Sequence, residues 1–247
     1  MKDLFISSCP VCAHTGKDQS IVRVIDEKHS FYKCLFCGTV YISPLDFADV
    51  VYDEKYNSEF YRPSDVRKAG LMAHKIASYI PENIQKPSVL EIGIGNGLTS
   101  FLLQALGYIV FGTEVCSSYA EELRKKYNIA VLPLRIEDLK MVEKFDVVYS
   151  SHVIEHCPDP HIYFRNAWTA LRKGGLLIID TPNASLVRNL SSEFKHFSTR
   201  DKFEHCCILS EKSSLYLCKK HGFKPVAIVN QPFYQSFFLV ARKLNND

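Results

Sequence analysis

The segment Ser88-Val89-Leu90-Glu91-Ile92-Gly93-Ile94-Gly95-Asn96-Gly97 constrains the fold of this chain more than any other. An apolar, β-prone run ends in an acid, three glycines alternate, and Leu98-Thr99-Ser100-Phe101-Leu102-Leu103 follows with helical patterning. A strand is thus handed through a glycine loop to a helix N-terminus, where a ligand can lie against bare main chain. A dinucleotide fingerprint would place its third glycine at 98, where Leu98 stands. No Lys-Ser/Thr pair follows, so a phosphate-binding loop of the nucleotide-hydrolase kind is excluded too.

The neighbouring residues extend the pattern. A second strand, Tyr108-Ile109-Val110-Phe111-Gly112-Thr113, ends in Glu114. An acid about 20 residues past a glycine loop, at the end of the second strand, can accept hydrogen bonds from both ribose hydroxyls of a nucleoside. The alternative is a solvated cap for a helix over Ser117 to Tyr127. Further on, Phe145-Asp146-Val147-Val148-Tyr149-Ser150-Ser151-His152-Val153-Ile154-Glu155-His156 reads as another buried strand and the loop leaving it. A helix around Phe164 to Leu171, a turn at Arg172-Lys173-Gly174-Gly175 and a strand Leu176-Leu177-Ile178-Ile179-Asp180 follow.

Taken in this order, over roughly residues 64–243, these pieces resemble class I S-adenosylmethionine-dependent methyltransferases. The resemblance implies a Rossmann-like α/β fold: a seven-stranded, mostly parallel sheet with an antiparallel terminal strand and helices on both faces. It also implies a cofactor site built from Glu91, Gly93, Gly95, Asn96, Gly97, Glu114, Ile136, Glu137, Ser151 and His152. Ile136 would offer a backbone amide to adenine and Glu137 or Asp138 an acceptor, although both acids would equally cap a turn. Ser151 and His152 would line the methionine end, with Glu155 and His156 starting the next element. His152-x-x-Glu155-His156 also spells a metalloprotease-like word, but it follows a buried strand rather than opening a helix; the sequence leaves open whether it binds a metal, since some quinone methyltransferases with a similar segment use a divalent ion.

Four cysteines make a second signal. Cys9-Pro10-Val11-Cys12 and Cys34-Leu35-Phe36-Cys37 are two Cys-x-x-Cys knuckles separated by 21 residues. Each knuckle turns both sulfurs to one side, and two knuckles complete a tetrahedral thiolate shell. Two strand-like runs, Ile21 to Ile25 and Ser30 to Lys33, lie between them. A piece this small cannot stabilise itself by burial, so ligation of zinc would supply its folding energy. Residues 1–43 are therefore read as a zinc ribbon, residues 44–63 as a tyrosine-rich connector or a lid, and residues 64–247 as the catalytic domain. Four thiolates leave no open coordination position, which makes this zinc structural. Cys116, Cys157, Cys206, Cys207 and Cys218 show no ligand spacing and read as packed thiols.

The acceptor side is the least determined. Asn183 to Lys202 lacks periodicity and reads as an inserted substrate loop. Phe203-Glu204-His205 then precedes a helix start at Ser210-Glu211, a segment similar to that of zinc-ribbon deoxysugar C-methyltransferases. That similarity implies that His205, oriented by Glu204, removes a proton from a sugar or related metabolite, with His152 as the next candidate. An imidazole in ordinary surroundings titrates near neutrality and suits that task. The alternative is a histidine that merely caps the helix at Ser210.

A net charge of +3 is too small to announce a nucleic-acid partner. A mild basic bias from Arg188 to Lys224, eight Lys/Arg against four Asp/Glu, keeps an RNA base methyltransferase as the alternative function. No run of 18 apolar residues and no signal-peptide core occur in the sequence, so a cytoplasmic protein without a membrane partner is expected. The sequence sets no oligomeric state.

Overall fold

A parallel sheet whose strands are buried on both faces needs near-continuous apolar runs, and this chain supplies them in order. The computed structural model describes residues 8–44, 65–186 and 205–244. Strands β1 (Gln19–Val24), β2 (Ser30–Cys34) and β3 (Val40–Ser43) come first, then helix α1 (Asp65–Ala77). The alternating part follows: β4 (Ser88–Ile92), α2 (Leu98–Ala105), β5 (Ile109–Thr113), α3 (Ser117–Tyr127), β6 (Ala130–Leu132), β7 (Phe145–Ser151) and α4 (Pro160–Ala170). The chain ends with β8 (Leu171–Pro182), β9 (Cys207–Ile208), α5 (Glu211–Lys220), β10 (Phe223–Gln231) and β11 (Ser236–Lys243). Two sheets result: a seven-stranded one in the order β10-β11-β8-β7-β4-β5-β6, and a four-stranded one in the order β1-β2-β3-β9. The expected α/β sheet is the observed one.

By contacts the chain divides into two units. One comprises residues 51–151, 165–179 and 240–247; the other comprises 1–50, 152–164 and 180–239. In this grouping the ribbon residues cluster with 152–164 and 180–239.

In the first unit β4 pairs in parallel with both β5 and β7. Val89, Leu90, Ile92, Val147, Val148 and Phe145 are buried there. Ile92 stands opposite Thr113 on one side and Ser150 on the other, so the loops after β4, β5 and β7 leave the same carboxyl edge. Open α/β sheets bind ligands at that edge. The turn expected at Arg172–Gly175 is instead part of β8, which continues through Gly174 at φ +74°. A side chain at Gly175 would press on the carbonyl oxygens of Arg172 and Asp146, about 3 Å away, so only glycine lets the strand lie so close.

In the second unit β1, β2 and β3 form an antiparallel meander, and β9 adds to it through Val40↔Ile208 and Tyr41↔Cys207. Phe31, Val40, Ile42, Ala184, Cys206 and Ile208 close into one buried apolar cluster. The ribbon thus takes its fourth strand from a segment more than 160 residues away, which no local pattern announces. Residues 45–64 and 187–204 lie outside the described part. They hold nearly all of the expected connector or lid, most of the substrate loop and Glu204.

Candidate active site and a four-cysteine centre

The glycine loop is held from below by β5. Gly93, Gly95 and Gly97 all have positive φ, at 65°, 56° and 72°, conformations that favour glycine. Gly93 N–H donates to Thr113 Oγ1 (3.2 Å) and Ile94 N–H to the Thr113 carbonyl (2.8 Å). A Cβ on Gly112 would stand 2.5 Å from Ile94 Cδ1, so glycine at 112 is what lets Ile94 pack down. A Cβ on Gly97 would meet the Tyr127 ring at 2.9 Å. Asn96 Oδ1 accepts the Leu98 N–H (3.1 Å) and closes the turn into α2, so this expected cofactor residue also has a local structural task.

Two acids expected at the cofactor are both buried in this unit. Glu91 accepts a short 2.5 Å hydrogen bond from Ser100 Oγ. Burial pushes its carboxyl up to about 8, against the opposing pull of Ser100. Glu114, at the end of β5, accepts the Cys116 N–H (3.1 Å) at Oε1. Burial raises this carboxyl too, opposed by the backbone N–H groups of Cys116 and Val115. That bond closes a local turn two residues on; the N-cap of α3 is Cys116, no side chain caps the helix, and Glu114 is buried rather than solvated. Ile136, buried, and Glu137 form a short 3-10 turn, and both of their carbonyls accept from Asn166 Nδ2 (2.9 and 3.0 Å). Thr113, Gly112 and Asn166 all position this loop system. Only the close spacing of Gly112 to Glu114 in sequence could have suggested any of them.

The second unit gathers a different set. Ser151 ends β7, and His152 follows at φ +54°, a left-handed conformation that non-glycine residues avoid and that clusters at functional sites. His152 Nδ1 lies 3.1 Å from Glu155 Oε1, and the Thr181 hydroxyl donates to Glu155 Oε2 at 3.0 Å. The Glu155 side chain is fully buried while that of His152 is half exposed. Burial works against the charge on Glu155, but the His152 hydrogen bond and the fields of His152, His156 and His205 outweigh it and bring the carboxyl down to about 2. His205 packs edge-on to His156, with ring centroids 4.7 Å apart. Ligand atoms of Glu155, His156 and His205 all fall within 4.8 Å of one another, a spread that one ion could bridge.

Two expectations change here. Glu155 and His156 lie in a short 3-10 turn that Ile154 opens, and Glu155 is also the buried centre of the cluster rather than only part of the next element. His205 does not titrate near neutrality: burial and the neighbouring His156 lower its imidazole to about 3. The helix cap belongs to Ser210, whose Oγ accepts the Ser213 N–H (3.1 Å) in a capping box, not to His205.

In the same unit the four sulfurs of Cys9, Cys12, Cys34 and Cys37 lie within 4.8 Å of one another. Cys9 and Cys37 are 3.6 Å apart and Cys12 and Cys34 3.5 Å, far beyond a disulfide bond. Four sulfurs bound at about 2.3 Å to one ion would stand roughly 3.8 Å apart, so the cradle fits a tetrahedral ion. Hydrogen bonding from the Cys9 thiol, aided by Thr39 and opposed by burial, pulls Cys37 down to about 5. The other five cysteines are buried, as expected for packed thiols.

A family model described as a methyltransferase domain matches residues 64–228. Ubiquinone biosynthesis O-methyltransferase from Glaesserella parasuis is 34% identical over 106 residues, covering 38% of this chain and 45% of the relative. The enzyme of the same name from Rickettsia akari is 31% identical over 116 residues, covering 44% and 45%. The matched stretches thus span less than half the length of these curated relatives. Among solved structures, a SAM-dependent methyltransferase from Thermotoga maritima superposes with a TM-score of 0.60 at 21% identity, over 76% of this chain and 97% of that one. Geranyl diphosphate C-methyltransferase from Streptomyces coelicolor, solved with S-adenosyl-L-homocysteine, gives 0.59 at 13% identity over 72% and 81%. Among the described residues no helix is long and apolar enough to cross a membrane.

Proposed function

Since the chain belongs to the methyltransferase-domain family, we propose that it uses S-adenosylmethionine to methylate a hydroxyl of a small molecule, with His152 as the base. The observation that carries this reading is the His152–Glu155–Thr181 relay. A fully buried carboxylate, kept charged, sits 3.1 Å from Nδ1 of an imidazole that reaches solvent. A carboxylate placed there fixes the tautomer and stabilises the imidazolium formed when Nε2 takes a proton. Bound S-adenosylmethionine supplies an electrophilic methyl group on a positively charged sulfur, so the chain's own share is alignment and proton removal. His205, held neutral, serves as a hydrogen-bonding partner for the acceptor. A hydroxyl as acceptor follows the O-methylation in the names of the relatives, in place of the carbon acceptor that the resemblance to sugar C-methyltransferases implies.

In this reading Gly93, Gly95, Asn96 and Gly97 cradle the cofactor beside Glu91. Glu114 takes the ribose, Ile136 and Glu137 the adenine, and Ser151 the methionine end. The fit is supported by the positive φ of the three glycines and by the buried carboxylate of Glu114 at the end of β5. The four-cysteine cradle holds one structural zinc per chain. Elemental analysis should return one zinc per chain in the wild type and none in Cys34→Ser; wild-type protein purified without chelator and free of metal overturns that part.

His152→Asn should lower turnover by roughly 10²–10⁴, far more than it changes the S-adenosylmethionine affinity read by calorimetry. His205→Asn should lower turnover less and remove no ionisation near neutral pH. The acceptor is sought by transfer of labelled methyl from S-adenosylmethionine to nucleotide sugars, small phenols and total RNA. Label confined to RNA, or wild-type turnover in His152→Asn, overturns the reading.

A further inference from the structure

We infer that the metal-bound ribbon is the positioning device of His205, acting through the backbone of Cys206. The inference rests on reading the His152, Glu155 and His205 cluster as the acceptor side. β9 is only two residues long, and an isolated strand of that length has no stability of its own. Its partner is β3, the last strand of the ribbon. Ile42 N–H donates to the Cys206 carbonyl (3.1 Å), and Cys206 N–H donates to the Glu155 carbonyl (2.9 Å). Cys206 is therefore a rung between the ribbon and the loop that carries the buried carboxylate, and His205 is the residue before it. Edge-on packing of His205 against His156 depends on where that rung stands.

Both cysteine knuckles are tied to the same unit at their carbonyls. Ser210 Oγ donates to the Cys37 carbonyl (2.6 Å), and the Lys212 ammonium to the Phe36 carbonyl while lying over the Phe36 ring. His161 Nε2 lies 2.8 Å from the Val11 carbonyl in the first knuckle. Gly38 has φ +80°, and a Cβ there would stand 2.9 Å from Ser210 Oγ, so the second knuckle can sit against α5 only with glycine at that place. Knuckle carbonyls point at these donors only while the knuckles keep their turns. A ribbon of about 35 residues keeps them chiefly through its ion. Loss of the ion frees β3, then Cys206, then His205, while the glycine loop and Glu114 belong to the other unit.

The test is amide hydrogen exchange on the full-length protein, before and after removal of the metal by a chelator and again after zinc is restored. Protection at the amides of Ile42 and Cys206 should fall at least tenfold on removal and return with zinc. S-adenosylmethionine affinity should stay within twofold throughout, which also shows that the remainder is folded. Ser210→Ala leaves all four cysteines in place. It should keep its zinc yet accelerate exchange at Cys206, with cofactor affinity again unchanged. Unchanged protection at Cys206 in the metal-free protein, or in Ser210→Ala, overturns the inference. Wild-type turnover in His152→Asn would sink the proposed base without altering either exchange result, so the two failures are distinguishable.

Discussion

Glu91 and Glu155 are both buried glutamates, one in each unit, yet they are held in opposite charge states. Glu91 faces a single serine hydroxyl and its carboxyl rises to about 8; Glu155 faces imidazoles and the Thr181 hydroxyl and falls to about 2. Burial is the same force on both, disfavouring charge. What differs is the supply of donors and positive fields, which comes from His152 and His156 beside Glu155 in sequence and from Thr181 and His205 far along the chain. A buried carboxylate near a predicted site is therefore not informative until its neighbours are known.

Removing the charge from each glutamate should break the symmetry most visibly. Glu155→Gln removes the charged acceptor shared by His152 Nδ1 and the Thr181 hydroxyl and should cost about 2–4 kcal/mol of stability in denaturant unfolding. A loss under about 1 kcal/mol would mean that Glu155 is not held as an anion. Glu114→Ala, which removes the third buried glutamate, should weaken S-adenosylmethionine binding by about 2–4 kcal/mol, read by calorimetry. Equal affinity would leave the Cys116 N–H as the only task of that side chain.

The pH dependence separates the two by sign. Glu155, with its carboxyl lowered, contributes stability that is present above the ordinary carboxyl range and lost as pH falls toward 2. Glu91, with its carboxyl raised, gives the reverse: stability is full below the ordinary range and is lost as pH climbs toward 8. Unfolding measured across pH in wild type, Glu155→Gln and Glu91→Gln should show each slope vanish in its own variant. The smallest effect is Glu91→Gln near pH 5, where an amide replaces a carboxyl that already carries its proton. A change within about 1 kcal/mol is expected, and a larger one would show that Glu91 is ionised.

Much of the cofactor half was legible because it is local. Strand, glycine loop, helix, strand and acid follow one another within 30 residues, and each is marked by periodicity or by a residue type that few backbones accept. The knuckles were legible for the same reason, since a Cys-x-x-Cys turn brings its own sulfurs together. The acceptor half was not. His205 was noticed beside Glu204, but its partners His156 and Glu155 come from a loop some fifty residues earlier, and its depressed proton affinity follows from their fields and from burial. β9 carries no strand signal, because two residues take that shape only when β3 is already there to pair with them.

By itself, then, the sequence determined the alternation that forces a parallel sheet, the cradle at its carboxyl edge and a cysteine set with metal spacing. Only the tertiary structure decided which carboxylate is charged, which histidine is backed by it, and that the ribbon and the His205 segment share one sheet. Local patterns encode backbone shape through short-range sterics. Protonation and strand addition depend on distances between residues far apart in the chain, and those exist only once it has folded.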